Sequence, residues 1–393
     1  MSAPWKDWIP GVLNKNQVKQ LCDEGHIIGE GKLTQALDHS AIDLSLSDKG
    51  YLMLKGSVKP PGDCNYAWFI KTEGLCRSVP PLPDGTFTLN AKSTYVFRLR
   101  EKLRHSLADG RIYGQATAKS SVGRVDVLAR LIVDGMGSYE GFTPEGIQKS
   151  DALYLEITPI TFSVRVRSGI SLSQLRFFYG KPVDAEISGE ELYKTVLQGG
   201  ASLDGSLSVD LTNTTIGGCE VAAFRASPSV SDVSIPLWEE EVKPDPCDHW
   251  DFVRSSESKR ILIDQEKFYI LRSKEKLSLP EGVAVYCRAT DETIGEMRVH
   301  YAGFAHPLFG RRRSDQTIGT PLMFEVRGHQ VPVTLAHGEK MANLIFYRMS
   351  QDCKEEQNTS PKAYENQELE LSKFFAKWPK NLIMNPDGKV KAA

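Results

Sequence analysis

LYLEITPITFSVRVRSGISLSQLRFF, residues 153–178, and LMFEVRGHQVPVTLAHGEKMANLIFY, residues 322–347, align without a gap. The match sets Glu156 against Glu325, Gly169 against Gly338 and Leu175 against Leu344. Both segments are short apolar runs separated by turn formers, the pattern of paired strands and not of helices. Other matches fall at nearly the same offset. The motif Arg-x-x-Glu-Lys-Leu ends at Leu103 and again at Leu277, 174 positions apart, and Ala116-Thr117 returns as Ala289-Thr290. Offsets that agree within a few residues mark an internal duplication.

Working outward, the first copy reads as β-runs at Thr86–Leu89, Tyr95–Leu99, Val125–Ile132, Leu153–Ile157, Thr161–Val166 and Leu172–Phe178, preceded by an alternating strand at Ser40–Leu46. Spacing of this kind predicts a barrel or sandwich, not βαβ units. Each copy opens with a short helix. Asn14 with Gln17 forms a capping box ahead of Val18, Leu21 and Cys22, and Gly25 ends that helix. Ser188 and Glu191 predict a second capping box, with Leu192 and Val196 inward and Gly199–Gly200 as the stop. The expected organisation is a mainly β chain of two tandem barrel or sandwich domains, 1–182 and 183–350, and a tail, 351–393. Within the tail, Glu365–Trp378 reads as an amphipathic helix before Pro379, and 380–393 as disordered.

The 393 residues carry a formal charge of −2, so any polyanion site has to be local; nucleic acid and membrane surfaces are not expected partners. No run of eighteen apolar residues predicts a membrane span, and the N-terminus lacks a signal pattern. Seven scattered cysteines without C-x-x-C fit reduced thiols in a cytoplasm and give no zinc signature. One local anion site does stand out. Lys119-Ser-Ser-Val-Gly-Arg124 joins a point charge, two adjacent hydroxyls and a guanidinium fork in one turn, a set suited to phosphate oxygens and equally readable as a solvated polar turn.

With these motifs in view, each copy resembles the fold of trimeric dUTP pyrophosphatases and metal-independent dCTP deaminases. The whole chain, over roughly residues 11–375, is similar to the longer tandem-domain dCTP deaminases of some bacteria. Lys119–Arg124 resembles the family's basic-Ser-Ser-x-x-Arg phosphate loop, and Glu156 and Glu325 sit in strands that resemble the one bearing its catalytic glutamate. Gly169–Phe178 and Gly338–Tyr347 resemble the Gly-x-x-(Leu/Ile)-x-Gln-Leu-x-Phe strand that follows. Lys362-Ala-Tyr-Glu-Asn-Gln367 resembles the C-terminal segment that closes over nucleotide. Gly303-Phe-Ala-His-Pro-Leu-Phe-Gly310 resembles the base-pocket hairpin, with His306 in place of the family's aspartate and Leu308 in place of a glycine; Val133–Gly141 keeps Asp134 at altered spacing. The second copy has Asp291–Glu296, an acidic segment, where the first has its phosphate loop.

The resemblance implies hydrolysis of dCTP to dUTP and ammonia, with a glutamate as general base and acid, no zinc, and Mg²⁺ only as the triphosphate complex. It implies a composite site. Ser120, Ser121 and Arg124, with Lys119, would bind triphosphate; Glu325 would do the chemistry with Glu156 as its rival; Asp134, His306, Tyr364 and Gln367 would contact the nucleotide. Arg311–Arg313 reads either as a phosphate clamp or as a solvated loop or subunit contact. A homo-oligomer is expected. A dUTP pyrophosphatase, a bifunctional enzyme and a non-catalytic nucleotide sensor are the alternatives that the motifs leave open.

Overall fold

In both copies the duplicated segment forms the same pairings. In the computed structural model, Ala152–Pro159 lies antiparallel between Tyr95–Leu103 and Val127–Val133. Thr320–Gly328 lies likewise between Phe268–Leu277 and Met297–His300. The structure describes residues 5, 7–30, 33, 36–38, 40–62, 64–148, 151–198, 203–227, 234–289, 297–300, 303–305, 307, 309–310, 319–352 and 368–393.

Among these residues each copy builds one eleven-stranded, barrel-like sheet. In the first, Ser171–Tyr179 pairs with Ile112–Ala118 and with the long strand Ala41–Met53. In the second, Lys340–Arg348 pairs with Val283–Ala289 and Ser206–Asp210. A repeated carboxylate explains the repeated Arg-x-x-Glu-Lys-Leu motif. Buried Glu101 accepts the Ser45 N–H at 2.8 Å, and buried Glu275 accepts the Ser208 N–H at 2.7 Å and its hydroxyl at 2.7 Å. Both glutamates hold a strand beside a register shift, where the ladder leaves an N–H in need of an acceptor.

Helix Lys15–Asp23 has the capping box predicted for Asn14 and Gln17, and Gly25 takes φ 76° where the chain turns out of the helix. The second helix differs from its prediction. It runs Glu190–Val196 with Gly189, at φ 148°, as its N-cap, and no side chain caps it. Ser188 lies one residue too early. The tail also departs from the sequence reading. Residues 368–378 contain no helix, and Leu382–Met384 and Val390–Ala392 form a hairpin in the stretch expected to be disordered. Leu369, Phe374 and Phe375 are nevertheless buried; the apolar spacing that suggested a helix is that of an irregular segment docking at three points.

The two copies share a core. Phe162 of the first, Trp250 of the second and Phe375 of the tail meet with ring centroids 5.6–6.2 Å apart. Phe178 and its repeat partner Tyr347 stand edge-to-face at 5.1 Å, so equivalent strands of the two copies meet here. Ile235–Pro236 of the second copy adds in parallel to Val164–Arg167 of the first. Gly11 runs beside the end of the second copy's last strand, where a Cβ would meet the Ser350 nitrogen at 2.7 Å, so no larger residue fits. Among the described residues no helix is long and apolar enough to cross a membrane.

Candidate active site

Lys119–Arg124 leaves strand Ile112–Ala118 and makes one helical turn, Ser120–Gly123, with Arg124 as its C-cap. Val122 and Gly123 are buried, which anchors the turn and leaves Ser120 exposed and Ser121 half-buried. Lys119 is tied to Asp43 on the adjoining strand by an ion pair, so its charge is balanced locally. Two features of the tail lie directly on the loop. Ser372 donates its hydroxyl to the Ser121 carbonyl at 2.6 Å, and Arg124 donates to the Leu371 carbonyl at 3.4 Å.

The second copy's strand Thr320–Gly328 meets the first copy just past this loop, where Arg327 is ion-paired to Asp126. Glu325 is buried, with 5% of its surface exposed, and its carboxyl is pushed up to about 8. Loss of hydration is the main cause, since burial disfavours the charged form. The guanidinium of Arg124, from the first copy, pulls in the opposite direction. Nearby, burial and the Glu325 carboxyl push the Cys287 thiol up to about 12, which leaves it protonated and inert. Cys287 also anchors the hairpin segment, donating its N–H to the Gly303 carbonyl at 2.8 Å. The strand register sets Glu325 opposite His300.

Glu156 has a different environment. It is 1% exposed and accepts hydrogen bonds from Arg130 Nε at 3.0 Å, from Arg130 Nη2, from the Ser57 hydroxyl at 2.9 and 3.0 Å and from the Tyr139 hydroxyl at 3.2 Å. The Arg130 guanidinium lies 4.1 Å from the Tyr139 ring centroid. Both carboxylate oxygens are occupied by fixed donors.

The charge of Arg124, at the end of the Ser120–Gly123 turn, therefore acts on Glu325, while the partners of Glu156 and Asp134 come from the first copy itself. Asp134 is buried and accepts the Tyr66 N–H at 2.8 Å and the Asn65 side-chain amide at 2.5 Å, at the start of helix Tyr66–Thr72. That engagement ties Asp134 to the start of this helix. His306, Tyr364 and Gln367 lie outside the described residues, as do Arg311–Arg313 and Asp291–Glu296. Sequence reasoning missed Arg176. Buried in strand Ser171–Tyr179, it donates across the interface to the Val285 and Ala305 carbonyls, each at 3.1 Å, with its guanidinium 3.8 Å from the Phe304 ring centroid. Its signal was a lone charge within the apolar run Leu172–Phe178. Among the described residues no group of three His, Cys, Asp or Glu side chains is placed to hold a metal ion.

Two family models cover nearly the whole chain. The N-terminal domain of 2′-deoxycytidine 5′-triphosphate deaminases matches residues 9–181, and the C-terminal domain matches 186–375. The chain belongs to this family. It is an enzyme of the dCTP deaminase class, a hydrolase of nucleotide metabolism with a small-molecule substrate. The crystal structure of 2′-deoxycytidine 5′-triphosphate deaminase from Agrobacterium tumefaciens is similar to it with a TM-score of 0.74 and 27% identity, covering 87% of this chain and 99% of that one. No curated protein matches the chain in sequence.

Proposed function

We propose that the chain converts dCTP, as its Mg²⁺ complex, to dUTP and ammonia at a composite site within one chain, with Glu325 as the proton carrier. Ser120, Ser121 and Arg124 bind the triphosphate, and the 371–372 segment helps to close the loop from above. The observation that carries this reading is the ion pair of Asp126 with Arg327, which joins the two copies two residues from Arg124 and two from buried Glu325, so that the Arg124 charge acts on that carboxyl. A phosphate-binding guanidinium and an acid–base carboxyl are the two groups that deamination of a nucleoside triphosphate requires.

Water adds to C4 of the cytosine while its proton passes through Glu325 to N3. The proton of the new C4 hydroxyl then passes through Glu325 to the 4-amino group. The C4–N bond breaks, C4=O forms and ammonia leaves. A carboxyl poised near neutrality can accept and return the proton in both halves, and general acid–base help of this kind contributes roughly 10²- to 10⁴-fold. Burial of the site raises the basicity of Glu325 and excludes bulk water.

The test is incubation of the purified chain with dCTP and Mg²⁺, with products read by chromatography beside Glu325→Gln and Glu156→Gln. Formation of dUTP that Glu325→Gln alone abolishes supports the reading. Loss in Glu156→Gln alone returns the chemistry to the first copy. Accumulation of dUMP identifies pyrophosphate cleavage, and binding of dCTP without any product identifies a sensor.

A further inference from the structure

Two residues beyond each half of the composite site, a second charged pair crosses between the copies with the signs exchanged. Arg124 and Asp126 leave the phosphate loop; Glu325 and Arg327 lie two apart on the opposing strand and so on one face of it. Arg124 faces Glu325 electrostatically, and Arg327 is ion-paired to Asp126. We infer that the Asp126–Arg327 pair is a positioning clasp that fixes the phosphate loop of the first copy against the Glu325 strand of the second. The inference rests on the deaminase reading for its kinetic consequence and on geometry alone for the clasp.

The pair is built in from both sides. Asp126 is fully buried and takes φ 58°, a conformation that aspartate tolerates better than most residues. Its N–H reaches the Gly123 carbonyl at 2.8 Å, and its carbonyl accepts the Ile160 N–H at 2.9 Å. The Thr161 hydroxyl donates to its carboxylate at 2.5 Å. Arg327 Nη2 donates to Asp126 and to Thr161 Oγ1, the latter at 2.5 Å, while Nη1 donates to the Glu266 carbonyl at 2.6 Å. The guanidinium is thus held by its own copy at one nitrogen and by the other copy at the next. The duplication offers a control within the chain. The repeat equivalent of Arg327 is Thr158, whose hydroxyl meets Thr94 at 3.0 Å, so no arginine leaves this position in the first copy.

A loop displaced by an ångström from its carboxyl loses rate more than affinity, because the triphosphate still binds while C4 is misplaced. The experiment measures kcat and KM for dCTP with Mg²⁺ in the full chain carrying Arg327→Met, Arg327→Lys, Asp126→Asn and the Asp126→Asn/Arg327→Met double. Asparagine retains the shape and the tolerance for positive φ at 126. The expected result is a tenfold or greater fall in kcat for Arg327→Met and for Asp126→Asn, with KM changed less than threefold. Arg327→Lys should recover most of the rate, and the double variant should be no worse than the poorer single one. Unchanged kcat with a lowered Tm, or losses that multiply in the double variant, would overturn the clasp. Amide hydrogen exchange supplies a readout that needs no turnover. Arg327→Met should speed exchange at Arg124, Val125 and Asp126 at least tenfold, with helix Lys15–Asp23 unchanged. Equal exchange in the two proteins overturns the inference even if the wild-type chain proves inactive on dCTP, an outcome that would separately defeat the deaminase reading.

Discussion

Glu156 and Glu325 occupy the same place in two copies of one β-domain, and both are buried. Glu156 is surrounded by Arg130, Ser57 and Tyr139, a fixed set of donors that occupies both oxygens. Glu325 receives its main opposing charge from Arg124 in the other copy, and burial dominates its proton affinity. Duplication preserved the position and divergence separated the surroundings: one carboxylate is held within its own barrel, the other feels the charge of Arg124 from the other copy. What distinguishes the two carboxylates is the partner, not the depth.

The largest effect that can break this comparison is on turnover. Glu325→Gln should lower kcat for dCTP by roughly 10³-fold, within the range of a lost general acid–base, and leave dCTP binding measurable by calorimetry. Glu156→Gln should keep kcat within a few-fold of wild type. Equal losses in the two variants would erase the distinction between the copies.

A second prediction uses the carboxyl pushed up to about 8. As the base of the free enzyme it is ionised in only about one molecule in ten at pH 7, so kcat/KM should rise about tenfold per pH unit below neutrality and level off above about pH 8. The same shift acts on stability with the opposite sense. A carboxyl whose affinity for its proton is raised by folding stabilises the fold below its ordinary range, and that contribution is lost as pH rises toward 8. Glu325→Gln, which cannot ionise, should therefore gain in Tm relative to wild type between pH 5 and pH 8.5. Arg124→Met should move the kinetic limb upward, because it removes the charge that opposes the shift.

The repeat made the fold legible. Thr86–Leu89 emerges with its bounds as read, the runs near 95, 153 and 172 lie on strands, and those read from 125 and 161 become strands only from Val127 and Val164. Local chemistry was readable where it was local, as in the Asn14–Gln17 box. The tail failed because apolar spacing alone does not separate a helix from an irregular segment; its hydrophobic side chains dock on Trp250 and Phe252, which only tertiary structure provides. At the site, the motif marked Ser120, Ser121 and Arg124, and the duplication marked two glutamates without ranking them. Asp126, Arg176 and Arg327 stayed hidden, since each acts on a residue more than a hundred positions away. The partner of Asp134, the Tyr66 N–H, lies 68 positions away and was hidden as well.

A smaller effect sharpens the structural side of the comparison. Glu156→Gln leaves Arg130 without its carboxylate, but the Arg130 side chain is 36% exposed and can recover water. The cost should be about 1–3 kcal/mol, below the 3–5 kcal/mol of a fully buried pair that loses one member. It should appear as a lowered urea midpoint, with kcat nearly unchanged. Ser57→Ala should follow in the same direction with a smaller shift, since it removes one hydroxyl donor to the same carboxylate and leaves the ion pair in place.

The smallest effect concerns the closing segment. Ser372 holds the Ser121 carbonyl through a single hydrogen bond, whose net worth is about 0.5–1.5 kcal/mol. Ser372→Ala should raise KM for dCTP two- to tenfold and leave kcat and the pH limb of Glu325 unmoved, because it loosens the cover of the phosphate loop without displacing Arg124 from Glu325. Buried Phe374 and Phe375 keep the segment docked in this variant, so Tm should change little. A fall in kcat equal to that of the clasp variants would mean that the tail, and not the Asp126–Arg327 pair, sets the distance between loop and carboxyl. The two copies would then be aligned from outside by the chain's end, and the charge-exchanged pair would be a consequence of their packing.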